Sequence, residues 1–450
     1  MSVLIQRLGL SSTGNRATWT FSAWIKRSRS LSSANEFIFS SNTERTGGGQ
    51  YSSIFFENDH LRYYDYYSSA EQKYLKTNRL FRDTNAWYHI VVRHDTTQAT
   101  ASDRIRIYVN GVQETSFATS SYPAQNDNSS FVNWASADNF VGTQTNNLSS
   151  HFLGIMSHIY LCDGQSYAPT VFGETDSTTG EWKIKTSPTL TMGTNGFTIL
   201  KDGNTVTDQS SNSNDFSIGS GTLTKTEDNP SNVFATLNPL GVEQWTLSNG
   251  NLNIGGASDN QMMIGTMHSD AGYYEVKIAG SGHGSGGKGF RIGLCKVDGG
   301  NALTYSGISG NSGDLERFIG IQNTAGNYKA IYNNGYDVTN YASNSWSQND
   351  ILQVAWKNNK IWYGVNGTWL GSGNPSGGTN EADTLTSGSM YVPAIISSLA
   401  GADDCQFNFG NGYFGTSAIS SEGTNASGIG KFEYDVPTGC TAVSTKGLNL

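Results

Sequence analysis

Arg104-Ile105-Arg106-Ile107-Tyr108-Val109-Asn110-Gly111-Val112 and Lys360-Ile361-Trp362-Tyr363-Gly364-Val365-Asn366-Gly367-Thr368-Trp369 are two copies of one hairpin signature. In each, a strand closes on Asn-Gly, the pair that tolerates the positive φ required at both central positions of a type I′ turn. The copies stand too far apart for one sandwich to hold both. Each also follows its own series of short strands punctuated by Gly, Asn and Ser. The spacing therefore predicts an all-β chain of two β-sandwiches in tandem.

Working outward from the first hairpin, residues 18–26 put Trp19, Phe21, Ala23 and Ile25 on one face, the period-2 pattern of a half-buried strand. Further strands are read at 36–41, 51–57, 61–67 and 87–93. Ile105, Ile107 and Val109 continue the inner face, and 151–163 closes the sandwich. Around the second hairpin, strands are read at 273–278, 290–296, 318–322, 351–356, 360–365, 391–396 and 405–409. Between them the text turns to Thr, Asn, Ser and Gly. The expected organisation is a sandwich at 1–166, a connector with a few short strands at 167–240, a second sandwich at 241–415 and a tail at 416–450. No heptad pattern appears.

Among 450 residues, Gly reaches 53 and Pro only 8, while charged residues make up 14%. That balance fits short strands joined by polar turns and leaves little room for helix. The net charge of −9 disfavours a nucleic-acid partner, whose binders carry basic stripes. The opening residues are too short an apolar run for a secretory signal, and no stretch of about 18 apolar residues predicts membrane insertion. Cys162, Cys295, Cys405 and Cys440 lack a C-x-x-C pair and read as buried or free thiols, with a Cys405–Cys440 bridge left open.

Several segments resemble known families. Phe21-Ser22-Ala23-Trp24-Ile25-Lys26, Trp87-Tyr88-His89-Ile90-Val91-Val92, Ile107-Tyr108-Val109-Asn110-Gly111 and Phe152-Leu153-Gly154-Ile155-Met156 resemble the laminin-G-like, concanavalin A-type jelly roll over the first third of the chain. Gly272-Tyr273-Tyr274-Glu275-Val276-Lys277-Ile278, Arg291-Ile292-Gly293-Leu294, the second Asn-Gly hairpin and Phe407-Asn408-Phe409-Gly410 resemble a SPRY domain, itself a concanavalin-like sandwich. The order of these modules, with Phe172–Asp176, Asn229–Pro239 and Val436–Cys440 between and after them, is similar to structural proteins of marine tailed bacteriophages. The resemblance implies a virion component exposed on the particle.

Sandwiches of this type include glycoside hydrolases, whose chemistry demands particular residues. Retaining hydrolysis needs two carboxylates about 5–5.5 Å apart, and the glucanases of this fold take them from Glu-x-Asp-x-x-Glu on one strand. Glu174-Thr175-Asp176 and Glu433-Tyr434-Asp435 supply two of the three carboxylates, but Thr179 and Thr438 stand in the third position. No Gly-x-Ser-x-Gly elbow appears. The histidines are scattered without a zinc pattern. The laminin-G resemblance implies a rim calcium site, for which Asp95, Asp103, Asp127 and Asp138 are candidates, although solvated turn aspartates are the plainer account of them. The Gly-rich run 280–289 lacks Gly-Lys-[Ser/Thr] and reads as a loop.

The segment His60-Leu61-Arg62-Tyr63-Tyr64-Asp65-Tyr66-Tyr67 alternates Arg62, Tyr64 and Tyr66 on one face with Leu61, Tyr63, Asp65 and Tyr67 on the other. One face can serve the core. The other could stack on sugar rings, because a tyrosine offers apolar area and a hydroxyl together, or it could pack across strands or on a neighbouring subunit. Trp346 and Trp369 sit beside turn-like sequence, where the SPRY resemblance places binding; Trp362 follows the strand period and fits a core equally. The reading is a non-enzymatic phage virion protein on the particle surface, of tail-fibre or receptor-binding type. Its expected partners are host-surface glycans, other virion proteins and further copies of the chain. No cofactor is expected beyond the structural calcium. The alternative is a head decoration, cement or head-fibre protein without sugar binding, and the third reading is a glycan depolymerase.

Overall fold

A computed structural model of the chain describes residues 3–29, 35–44, 49–145, 150–239, 245–255, 262–280, 290–298, 318–324, 328–333, 336–342, 346–397 and 404–449. Most of the Gly-rich run, 281–289, falls outside the described residues. The chain forms two compact units, Met1–Lys225 and Thr226–Leu450.

Unit 1 opens with β1 (Leu4–Arg7), β2 (Thr18–Arg27), β3 (Asn35–Asn42), β4 (Tyr51–Glu57), β5 (His60–Tyr67) and β6 (Ala70–Leu80). It continues through β7 (Trp87–Asp95), β8 (Ile105–Val109), β9 (Val112–Gln113), β10 (Phe117–Ser121), β11 (Asp138–Val141) and β12 (Gly154–Asp163). Four short strands follow, β13 (Gly173–Thr175), β14 (Trp182–Ile184), β15 (Phe197–Ile199) and β16 (Ser217–Ser220). One sheet runs β10-β6-β5-β4-β3-β11-β1-β16 and the other β15-β12-β2-β7-β8-β9. The alternation read at β2 is the inner face: Trp19, Phe21, Ala23 and Ile25 pack with Ile54, Phe56, Leu61 and Tyr63 of the opposing sheet.

Residues 167–225, expected as part of a connector, are built into this sandwich. β15 pairs with β12 and β16 with β1. Phe197 packs against Phe39 and Phe216, with centroids 6.2 and 4.6 Å apart. A few apolar side chains in a polar text suffice to join this segment to the unit 1 core. The polar run that follows them is also ordered, because Asp208 accepts from the Thr198 and Ser210 amides with one oxygen and from Ser210 Oγ and the Asn214 amide with the other.

Unit 2 contains β17 (Thr246–Ser248), β18 (Asn253–Gly255), β19 (Met262–Ile264), β20 (Gly272–Ile278), β21 (Phe290–Lys296), β22 (Phe318–Thr324), β23 (Tyr328–Asn333) and β24 (Tyr336–Ala342). After these come β25 (Ile351–Lys357), β26 (Lys360–Val365), β27 (Thr368–Trp369), β28 (Asp383–Thr384), β29 (Tyr391–Ser397) and β30 (Cys405–Asn408). Its sheets run β17-β18-β30-β20-β25-β26-β27, with β28 also on β26, and β19-β29-β21-β22-β23-β24. The pairing order repeats that of unit 1. There β1-β11-β3-β4-β5-β6 and β12-β2-β7-β8-β9 match β19-β29-β21-β22-β23-β24 and β30-β20-β25-β26-β27 strand for strand.

The two Asn-Gly turns occupy the same place in this common plan. Asn110 and Gly111 have φ of 47° and 79°, Asn366 and Gly367 of 48° and 81°, as type I′ geometry requires. Each asparagine also reaches the neighbouring strand through its side chain. Asn110 Oδ1 accepts from the His89 amide at 2.7 Å, and Asn366 Oδ1 from the Ile351 amide at 2.9 Å.

In both units the chain that follows the closing strand returns over the outer face of that sheet. A Cβ on Gly111 would fall 2.5 Å from the Trp182 ring, and one on Gly367 would fall 2.9 Å from Tyr434. The segment expected as a tail, 416–450, thus packs on unit 2 over its described residues 416–449, where Phe432, Val436, Cys440 and Ala442 cluster with Phe234, Tyr273 and Ala355. All four cysteines are buried and unbridged, so the Cys405–Cys440 bridge does not form.

Candidate functional site

The outer face of β4–β6 in unit 1 gathers the aromatic rings. Asn58 and Asp59 take φ of 50° and 66°, closing a two-residue turn that sets Tyr51 opposite Tyr66. The next turn, Ser68-Ser69, is followed by a bulge between Asp65 and Tyr66, which brings Tyr74 opposite Tyr64. Phe37, Phe55 and Tyr64 form the buried floor, and the half-buried rings of Tyr51, Tyr66 and Tyr74 pack on it. Tyr51 and Tyr66 stack with centroids 5.1 Å apart and planes 15° from parallel.

Of the residues expected on this face, Tyr66 is available and Tyr64 is not. Tyr64 is 7% exposed, meets Phe55 and Tyr51 edge-on, and donates its hydroxyl to Tyr51 at 3.0 Å. Burial holds its phenol well above the usual range, so the proton stays on Tyr64 and Tyr51's own proton is directed elsewhere. Arg62 lies 5.2 Å over the Tyr64 ring and is committed to Glu57 at 3.0 Å and to Glu71. Lys76 joins the same chain through Glu57 at 2.6 Å. Burial acts against the Glu57 charge, but Lys76 and Arg62 outweigh it and hold the carboxyl below its ordinary range. Tyr51, Tyr74, Glu57, Glu71 and Lys76 belong to the face and were not singled out from the sequence.

The expected tryptophans fare differently. Trp346 is 1% exposed and part of the unit 2 core, which corrects its reading as a loop residue open to ligand. Trp369 is half-buried against the Tyr273 cluster under the returning C-terminal segment. Trp362 is a core residue that donates Nε1 to the Thr379 carbonyl at 2.9 Å.

The four aspartates are not brought together. Asp95 accepts from Thr97 and Gln98, Asp127 from Ser129 with Lys73 at 2.9 Å, Asp138 from the Gly9 amide, and Asp103 pairs with Arg106 at 2.6 Å. Each carboxylate is engaged by its own loop or strand neighbours. Among the described residues no three His, Cys, Asp or Glu side chains gather in a metal-binding group.

The carboxylate pairs weighed for hydrolysis are engaged in turns. Asp176 accepts from the Thr178 and Thr179 amides and pairs with Lys183, which also meets Glu174. Glu433 and Asp435 accept from Ser420 and Thr424. A Ser–His contact does exist in unit 1, where His89 Nε2 lies 2.9 Å from Ser22 Oγ. It cannot activate the serine. Trp182 Nε1, a pure donor, points at His89 Nδ1 at 3.0 Å, so the imidazole proton sits on Nε2 and is given to Ser22. Burial pushes His89 down to about 3, keeping it neutral.

One open groove of about 410 Å³ lies where β1 and β16 diverge, lined by residues 6–11, Ser213, Asn214, Asp215 and Ser217. Its cation, Arg7, is committed to the Asn195 carbonyl and to Asn214 Oδ1. The tyrosine face is a stronger site than this groove, because it sets stacked aromatic area beside fixed polar groups.

Residues 7–166 match the family model of the concanavalin A-like lectin/glucanases superfamily. Similar solved structures include the SPRY domain of human HERC1, at 13% identity over 38% of this chain and 96% of that one, with a TM-score of 0.29. Domains LG4-5 of the mouse laminin alpha1 chain are 10% identical over 97% of this chain and 92% of that one, with a TM-score of 0.28. No curated protein matches the chain significantly. The family match to unit 1, and the same strand order in unit 2, make this an all-β chain of two concanavalin A-like jelly rolls in tandem.

Proposed function

We propose that this chain is a non-catalytic glycan-binding protein on the surface of a phage particle, contacting host-surface saccharides through Tyr51, Tyr66 and Tyr74. The observation that carries the reading is the stacked Tyr51–Tyr66 pair, half-buried on a rigid sheet face. Sugar recognition uses flat aromatic area with hydroxyls at its edge, and rings already packed on a floor lose little freedom on binding. Neither the Ser22–His89 contact nor the paired carboxylates offer a working nucleophile or acid, which favours binding over depolymerisation.

The test is a glycan array probed with the full chain and with Tyr51→Ala/Tyr66→Ala. Loss of the stacking pair is expected to weaken binding by about tenfold or more, equivalent to about 1.4 kcal/mol, while the far-UV spectrum and the cooperative melting of unit 1 are retained. Equal binding by the folded double variant would remove this face from the reading. Immunogold labelling of intact particles decides between tail fibres and the head, and a sugar-release assay tests for turnover.

A further inference from the structure

We infer that the tyrosine face selects uncharged saccharides, with Glu57 and Glu71 as the residues that set this preference. The inference rests on the glycan-binding reading. Four charged side chains border the rings, Lys76, Glu57, Arg62 and Glu71, and they form one alternating chain. Lys76 Nζ meets Glu57 Oε2 at 2.6 Å, Glu57 Oε1 meets Arg62 Nη1 at 3.0 Å, and Arg62 Nη2 meets Glu71. Two positive and two negative charges cancel within the face.

The arrangement also decides which charge a ligand would meet. The Arg62 side chain is 11% exposed, with its guanidinium over Tyr64 and both terminal nitrogens engaged. A sulfate, phosphate or uronate would have to displace a carboxylate from this fork to reach it. The most open charged group is instead Glu71, whose side chain is 40% exposed. It repels an anion and accepts a hydrogen bond from a hydroxyl of a neutral sugar stacked on Tyr66, its cross-strand partner. Selectivity thus comes from a repulsive element as well as an attractive one.

The experiment uses the full chain on an array of neutral, sialylated, sulfated and uronate oligosaccharides at about 50 and about 500 mM salt, a range over which screening shortens from more than 10 Å to a few Å. Neutral glycans are expected to bind with less than about a twofold change across this range. Glu71→Gln leaves Arg62 with one carboxylate fewer and is expected to acquire binding to sulfated or uronate glycans that vanishes at the higher salt. Wild-type hits confined to anionic glycans, weakening about tenfold with salt, would overturn the inference and leave the glycan-binding reading standing. A Glu71→Gln variant that gains no anion binding would remove Glu71 from its assigned role. Neutral binding indifferent to Tyr66→Ala would place recognition elsewhere and overturn the inference. No hit of any class by a chain with an intact melting profile would overturn both.

Discussion

Arg27→Ala is expected to cost unit 1 about 3–5 kcal/mol, because it leaves two carboxylates buried without their shared cation. Arg27 extends from the end of β2 into the opposing sheet. Its Nη2 meets Glu36 of β3 at 3.2 Å, its Nη1 meets Asp59 in the β4–β5 turn at 2.9 Å, and it also donates to the Phe81 carbonyl. The guanidinium lies 4.3 Å over the Phe56 ring. Arg27 and Glu36 side chains have no solvent exposure, and Asp59 has 2%. Arg29 and Arg82 reach the outer oxygens of these acids from more open positions, and they cannot fill the space Arg27 leaves.

Burial already pushes the Glu36 carboxyl above its ordinary range, against the pull of Arg27 and Arg29. Removing Arg27 raises it further. A group with a raised folded-state pKa contributes most stability at low pH, where it is protonated, and loses it as pH rises through that pKa. The Arg27→Ala penalty is therefore expected to shrink on acidification, and Glu36→Gln in the Arg27→Ala background should recover part of the loss. Urea denaturation of each variant at pH 5 and pH 8 measures this. A loss below about 1 kcal/mol, independent of pH, would mean that water replaces the guanidinium and that the triad is not a closed site.

The same residues explain what was legible in the sequence. The Asn-Gly turns and the period-2 strands were readable because both signals are local: backbone conformation at two residues, and side chains alternating across one strand. Even the place of Tyr51 follows from sequence once Asn58-Asp59 is taken as a two-residue turn, since the register then pairs it with Tyr66. Tyr74 does not follow. A bulge between Asp65 and Tyr66 shifts the pairing by one residue, and nothing in Ser68-Ser69 announces it.

Trp346 and the segments 167–225 and 416–449 escaped for a different reason. A turn-like text of Ser, Asn and Gly marks irregular backbone, but it does not say whether a single large ring within it faces solvent or plugs the end of a sandwich. All four rings are buried: Phe197 and Phe216 in the unit 1 core, Trp346 in the unit 2 core, and Phe432 in the cluster on the outer face of β20 and β25. The polar residues around them are tied by side-chain bonds to backbone amides, as at Asp208, Asp176 and Asp435, so composition that reads as a linker is an ordered cover.

In unit 2 that cover depends on Glu275, and Glu275→Ala is expected to release the C-terminal segment. The carboxyl is fully buried on β20 and takes four donors. Oε1 accepts from the Tyr273 hydroxyl at 2.9 Å and the Tyr434 amide at 2.8 Å, while Oε2 accepts from Asn408 Nδ2 at 3.2 Å and the Glu433 amide at 2.9 Å. Lys357 holds the same segment further along by donating to the Thr438 carbonyl at 2.6 Å. Alanine would leave four donors without their acceptor, at about 1–3 kcal/mol each for those that stay buried. The lower-cost outcome is for residues 433–434 to lift away and hydrate, uncovering Phe432, Tyr273 and Ala355. Protease cleavage near 420–440 should then precede global unfolding.

The pH dependence has a definite sign. Burial raises Glu275 from 4.5 to about 7, despite the amides of Glu433 and Tyr434 that favour its charge. Between these values the folded chain holds a proton that the unfolded chain has released, so the Glu275 contribution is complete below about 4.5 and is lost as pH rises through about 7. A proton on Oε1 needs an acceptor, and the Tyr273 hydroxyl can turn to provide one while Gln353 Nε2 continues to donate to it at 3.0 Å. Wild-type unit 2 is therefore expected to resist C-terminal cleavage better at pH 5.5 than at pH 8. Glu275→Gln should flatten that difference, since its amide does not titrate, while losing stability because its NH2 faces an amide donor. Cleavage of wild type and Glu275→Ala at equal rates would show that Lys357 and the Phe432 cluster hold the segment without the carboxyl.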